Sequence, residues 1–402
     1  MDKKEFDSLQ NVDTQLIHSG RRDRYTQKAV NPIIQRTSSV IFDSLADKTK
    51  AGKENHLTTL YYGRRGTLTH FALKESLCLL EKGAGCALFP SGAAAITQSI
   101  LAFVKTGDHI LMTGSAYEPS QSFCNNFLKK IGVSTTFFDP TATDGITDLI
   151  TKNTRILFLE APGSITMEVQ DIPKLVKEAR KKNPELIIMM DNTWAAGYFF
   201  KPLLHGIDIS IQSGTKYLIG HSDFMLGFAV SNERCWDILR EQTYLLGQTI
   251  DSDTAYMASR GLRTLATRLK QHEQNGLLVA NFLKNHPKVD KILHPAFDSC
   301  PGNEYFKRDF TGACGLFSFT LSNNQNKDTI AAMVDNTQIL KMAFSWGGYE
   351  SLILPIIPED LAKTRPQNMQ LHVDTTLFRV HIGLEDPNDI IEDLTHMLAK
   401  AN

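Results

Sequence analysis

The chain predicts an α/β protein: a mostly parallel, doubly wound sheet with a smaller C-terminal α+β lobe. Three observations carry this. Between residues 86 and 211 short apolar runs alternate with helical stretches, the spacing of strands joined by crossover helices. Asp191 follows one such run and the segment around Ser213 another, where an open sheet presents its strand ends to a ligand. From about residue 261 the pattern changes to a long helical stretch, 264–284, followed by strand-like fragments such as 316–321. At 402 residues the chain exceeds the roughly 250–300 at which a single core stops growing. The expected division is an N-terminal arm, 1–62, a ligand-binding α/β domain, 63–260, and the C-terminal α+β domain, 261–402.

Residues 1–60 show no sustained period, and an ordered arm without its own core needs another surface, on the main body or on a second subunit. A helix is expected over 68–81, with Phe71, Leu73, Leu77 and Leu80 apolar and Gly83 closing it. The run Cys86 to Phe89 reads as a strand that turns through Pro90, Ser91 and Gly92 into a helix over 93–104. Then follow a strand at 109–113, a helix at 120–130, strands at 133–138 and 155–159, a helix at 172–182 and strands at 186–190 and 207–211.

Composition excludes several function classes. With 42% hydrophobic and 22% charged residues the chain reads as an ordinary soluble globular protein. A formal net charge of -1 leaves no electrostatic footprint for nucleic acid. The polar start MDKKEFDSLQ has no signal-peptide core, and no run approaches a membrane span, so the expected location is the cytoplasm. The six cysteines form no C-x-x-C and no cluster with histidine at zinc spacing, so no metal site and no disulfide frame is expected.

The chemistry centres on Ser213-Gly214-Thr215-Lys216-Tyr217. A lone lysine is more often a surface residue. One desolvated at a strand end can form a Schiff base with an aldehyde, and the hydroxyls of Ser213 and Thr215 suit a phosphate, a pairing that points to pyridoxal phosphate. The small-residue turn at Gly92 and Ala93 can cradle a phosphate at a helix N-terminus or serve close helix packing. No nucleotide-type glycine motif accompanies it. Asp191 either meets a cation, such as a protonated ring nitrogen, or caps the following turn. Tyr117 can cover a flat ligand or serve as lid or core packing. The Arg64-Arg65 pair is a solvated turn or a phosphate ligand, and Arg379, set in an apolar alternation, needs a substrate carboxylate or a structural ion pair.

These motifs, in order, resemble the Cys/Met-metabolism family of pyridoxal-phosphate enzymes from about Thr14 to the last helix. The resemblance rests on YYGRRGTLTHF (61–71), FPSGAAAI (89–96), AYEPSQ (116–121), APGSITMEV (161–169), DNTWAAG (191–197), the lysine segment 213–223 and SWGGYESL (345–352). It implies the fold type I of aspartate aminotransferase, pyridoxal 5'-phosphate as cofactor and a homotetramer, a dimer of dimers with shared active sites. It further implies Lys216 as Schiff-base lysine and acid–base catalyst, Asp191 at the ring nitrogen, and Tyr117 over the ring, able to protonate a leaving group. The phosphate would be held by Gly92, Ala93, Ser213 and Thr215, with Tyr62 and Arg64 from a neighbouring subunit, and the substrate by Arg379 and Ser345 beside Trp346 and Tyr62. Within the family Trp346, and the lack of the glutamate common before Ser-Leu-Gly-Gly in γ-acting relatives, favour the β-lyase branch. That branch eliminates homocysteine from L-cystathionine, leaving pyruvate and ammonia, on the route to methionine, and cleavage of cysteine or cystine would accompany it. Phe344 departs from the tyrosine of that branch. The competing expectations are γ-synthase or γ-lyase chemistry and an inactive binding or regulatory protein on the same fold.

Overall fold

A computed structural model describes residues 11–56, 58–364 and 375–402. The polar start read at residues 1–10 lies outside them. Seven strands form the first sheet: β1 (Gly85–Phe89), β2 (His109–Thr113), β3 (Ser134–Phe138), β4 (Thr154–Glu160), β5 (Ile187–Asp191), β6 (Ile209–Ser213) and β7 (Gly227–Ser231). Their spatial order is β1-β7-β6-β5-β4-β2-β3. Neighbours from β6 through β3 run parallel, while β7 is antiparallel to both β6 and β1. Strands β2, β4 and β5 are apolar on both faces because helices cover both, which is why they read as continuous apolar runs rather than alternations. One core lies on each face of this sheet.

The second sheet holds β8 (Val289–Leu293), β9 (Leu316–Leu321), β10 (Lys341–Met342), β11 (Leu352–Ile356) and β12 (Leu377–His381), in the order β10-β11-β12-β9-β8. It packs its own core with the helices Lys327–Val334 and Pro387–Ala399. The long helix Ser252–Lys284 joins the two sheets. It begins twelve residues before the stretch expected at 264, capped by the Asp251 side chain, so residue 261 lies inside it. The expected helix over 120–130 is instead a short α turn, Glu118–Ser122, continuing as a wider π turn, Phe123–Leu128. The N-terminal arm folds as the helices Val12–His18, Asp23–Thr26 and Leu45–Lys53. Tyr25 is fully buried against Phe71 and Ala72 of the helix Leu68–Glu81. No helix among the described residues is long and apolar enough to cross a membrane.

Three buried histidines make the fold sensitive to acid. Burial pushes His272 and His294 down to about 4 from the ordinary 6.5, and His381 well below that value. Unfolded, each would titrate near 6.5, so below that pH the unfolded chain takes up protons that the fold refuses. The stability these neutral rings contribute is complete above pH 6.5 and is lost as pH falls toward 4. The urea midpoint is expected to fall across this window, and His294→Gln should flatten part of the fall; an unchanged slope would remove His294 as a cause.

Candidate active site

The site forms where β4, β5 and β6 end side by side, because parallel strands place their carboxyl ends on one edge. Glu160 closes β4, Asp191 closes β5 in register with it, and Ser213 closes β6. Asp191 is buried, and its Oδ1 accepts hydrogen bonds from the Thr193 backbone N–H at 2.9 Å and hydroxyl at 2.5 Å. Burial raises its pKa, opposed by the two Thr193 hydrogen bonds and by the charge of Lys216. Among the described residues its Oδ2 accepts no hydrogen bond, so one lone-pair side remains available.

Lys216 follows β6 in a tight turn whose N–H returns to the Ser213 carbonyl at 3.2 Å. The turn is locked by Thr215, whose hydroxyl accepts from the Leu226 N–H at 2.9 Å, and by Tyr217, whose ring is fully buried. Lys216 Nζ donates to Ser345 Oγ at 2.5 Å and lies 5.3 Å from the Trp346 ring centre. Burial, reinforced by the nearby charge of Arg379 and opposed by Asp191, lowers its pKa to about 8. The amine is thus far more often neutral, the form that attacks a carbonyl or accepts a proton, than an exposed lysine.

The loop carrying Ser345 and Trp346 comes from the second sheet and lies directly on the lysine turn. Gly347, at φ +85°, sits so close that an added Cβ would be 2.8 Å from the Tyr217 nitrogen and 3.0 Å from the Lys216 Cα. Ser345 adopts φ +78° as well, a conformation rare outside glycine and found where function constrains a backbone. Phe344 is 83% exposed in this chain. The loop is clipped to the segment after the lysine by the Ser222 hydroxyl, which donates to Glu350 Oε1. If this clip positions Ser345, Ser222→Ala and Glu350→Ala should each lower kcat/KM about tenfold, the worth of a hydrogen bond to a charge, and the double variant should be no worse than either. Additive losses would show that the two residues act separately.

Arg379 stands in the middle of β12, between Leu354 and Ser318 on the neighbouring strands. Burial lowers its pKa, yet no hydrogen bond or ion pair holds its guanidinium among the described residues. The structural ion pair that the sequence left open is therefore not present there. Tyr117 caps the helix Glu118–Ser122, held by its own N–H to Glu160 Oε2 at 2.7 Å. Its phenol pKa is raised, first by burial and then by the charges of Asp191 and Glu160. At the start of the helix Gly92–Leu101 the N–H groups of Gly92 and Ala93 have no intrahelical acceptor. A Cβ on Gly92 would lie 2.5 Å from the Ser213 Cβ, so only glycine leaves this cradle open.

Tyr62 and Arg64 stand apart from this cluster. Tyr62 bridges Ser39, and the Arg64 guanidinium lies 4.1 Å from the centre of the Tyr244 ring and donates to the Tyr244 carbonyl at 2.8 Å. Glu160, Thr193, Ser222 and Glu350 escaped the sequence reading. Glu160 carried the signal that singled out Asp191, a carboxylate ending an apolar strand, and Thr193 sits at the two-residue spacing of an Asx turn.

The sequence matches the family model of the Cys/Met metabolism PLP-dependent enzymes over residues 13–399. The chain belongs to this family. A cystathionine beta-lyase of Haemophilus influenzae is 54% identical over 383 residues, covering 95% of this chain and 96% of that protein. The cystathionine beta-lyase MetC of Escherichia coli is 55% identical, covering 95% and 97%. The crystal structure of metB from Corynebacterium glutamicum superposes with a TM-score of 0.88 at 27% identity, covering 97% of this chain and 98% of that one. The fold is accordingly the type I fold of PLP enzymes, and the cofactor is pyridoxal 5'-phosphate. The residues fit it: an open helix-start cradle at Gly92, a buried carboxylate with one unused oxygen and a lysine amine of lowered pKa. No disulfide joins the six cysteines, and no group of three or more acidic, cysteine or histidine residues is placed to hold a metal, among the described residues.

Proposed function

We propose that this carbon–sulfur lyase cleaves the Cβ–S bond of L-cystathionine, giving homocysteine, pyruvate and ammonia. The observation that carries the reading is Lys216 Nζ held by Ser345 on the Trp346 loop, with Arg379, unpaired among the described residues, beside it. Lys216, Asp191, Gly92, Ala93, Ser213 and Thr215 would hold the cofactor, and Tyr117 would cover its ring. When bound, the cofactor supplies an aldehyde that captures amines and a protonated ring that withdraws electrons from Cα.

The protein's own steps follow from its geometry. Arg379 and Ser345 orient the substrate by its α-carboxylate, fixing the Cα–H bond toward Lys216. Lys216 Nζ takes the Cα proton, and its lowered pKa suits it to release that proton again. Tyr117, with its phenol pKa raised, keeps its proton at neutral pH and donates it to the departing sulfur rather than acting as a base. Trp346, packed on Tyr217 with ring centres 5.5 Å apart, narrows the space beside the amine and excludes water.

The same reading extends to assembly and place. Tyr62 and Arg64, which contact Ser39 and Tyr244 within the chain, would reach the phosphate of a neighbouring subunit. The arm offers strongly exposed apolar side chains, Ile41 at 91% and Val30 at 70%, for such a contact. A homotetramer in the cytoplasm, acting also on cysteine or cystine, completes the proposal. Incubation with L-cystathionine is expected to yield pyruvate and homocysteine; 2-oxobutyrate with cysteine would replace β-cleavage by γ-cleavage.

A further inference from the structure

A cavity of about 1000 Å³ lies between the arm and the helices Leu68–Glu81 and Glu233–Leu245, and none of Lys216, Asp191, Tyr117, Ser345 or Arg379 lines it. Its wall holds eight arginines and lysines against two acids, Asp23 and Glu75, in a chain whose net charge is -1. Glu75 is engaged by Arg22 at 2.7 Å. Lys74, one position earlier on the same helix, donates no hydrogen bond to any described residue. The groups favouring its charge are the thiols of Cys86 and Cys78, and burial keeps the Cys86 thiol protonated. Arg65 stacks on Tyr244 with its guanidinium 3.4 Å from the ring centre, and its Nε is buried with no partner. A guanidinium nitrogen withdrawn from water without an acceptor is costly unless an anion completes it, and the half-buried Lys74 adds its charge beside it.

We propose that this cavity is a second binding site, for a compact small-molecule anion carrying two or more negative charges on phosphate or carboxylate groups. Its volume matches the roughly 300–1,000 Å³ of small-ligand sites. Arginine's planar fork and the point charge of lysine together suit phosphate or carboxylate oxygens. Lys74 and Lys82, which donates to Gln15 Oε1 at 3.3 Å, lie along one wall and supply charge without belonging to the lyase site. Arg64, assigned above to a neighbouring subunit's phosphate, lines the same cavity, so the test variants avoid it.

The test is calorimetry on the cofactor-loaded enzyme with inorganic pyrophosphate and with citrate, against potassium chloride of equal ionic strength. Saturable binding of either probe is expected, weakened tenfold or more by Lys74→Gln with Lys82→Gln, retained by Lys74→Arg, and without change in cofactor absorbance. Pyrophosphate alone would assign phosphate chemistry, citrate alone carboxylate chemistry. Heats equal to those of the salt control, binding that survives the double glutamine variant, or displacement of the cofactor by a probe would each overturn the proposal. Thermal melts of the variants separate loss of binding from loss of fold.

Discussion

Replacing Lys216 by alanine is expected to lower kcat by about 10³-fold or more, the scale for removing a positioned general base that is also the nucleophile. Borohydride reduction followed by denaturation should leave the cofactor attached to the wild-type chain and release it from Lys216→Ala. The lowered pKa adds a pH signature. At about 8 the amine is roughly one-tenth neutral at pH 7, whereas a lysine at its ordinary 10.5 would be neutral in well under a thousandth of molecules. Uptake of pyridoxal phosphate by the apoprotein should therefore accelerate with rising pH and level off above about 8. Full turnover in Lys216→Ala, or a midpoint near 10.5, would remove the lysine from its place in the proposal.

The second large effect is at Arg379. Its guanidinium, half-buried in β12 with no partner among the described residues, has the arrangement of a group awaiting an anionic ligand. Arg379→Ala would leave the substrate carboxylate unpaired, a cost of about 3–5 kcal/mol, or roughly 10²- to 10⁴-fold in kcat/KM. Arg379→Lys should recover little, because a point charge does not reproduce the two-pronged contact. The cofactor absorbance should be unchanged in both. A loss below tenfold in a folded Arg379→Ala protein would assign the carboxylate to another residue.

Much of the architecture was legible because burial writes itself as periodicity. The helix Leu68–Glu81 and the strands His109–Thr113 and Leu316–Leu321 lie where the apolar pattern puts them. The start of the long helix was missed because residue 261 is glycine, which reads as a breaker. In the structure that glycine sits where a Cβ would be 2.4 Å from the Leu218 carbonyl oxygen, so packing against the lysine segment selects it. The π turn at Phe123–Leu128 has no period of its own and is invisible to a 3.6-residue template. The strand-end residues of the site were legible since sheet topology alone brings Asp191 and Ser213 together. The Ser222–Glu350 clip was not, because its members are 128 residues apart and neither type signals the other.

Tyr217 carries a further consequence. Its ring touches His272 of the long helix and His381 of the second sheet, with centres 5.0 and 5.7 Å away, while its hydroxyl accepts from the Gly315 N–H at 3.1 Å. Lys216 is thus braced from three separate stretches of chain, two of them beyond residue 285. A fragment cut there would keep every strand of the first sheet and still present its lysine on an unbraced turn. The protein should resist dissection into working halves, and a protease nick in the C-terminal part should silence the amine while leaving its own sheet folded.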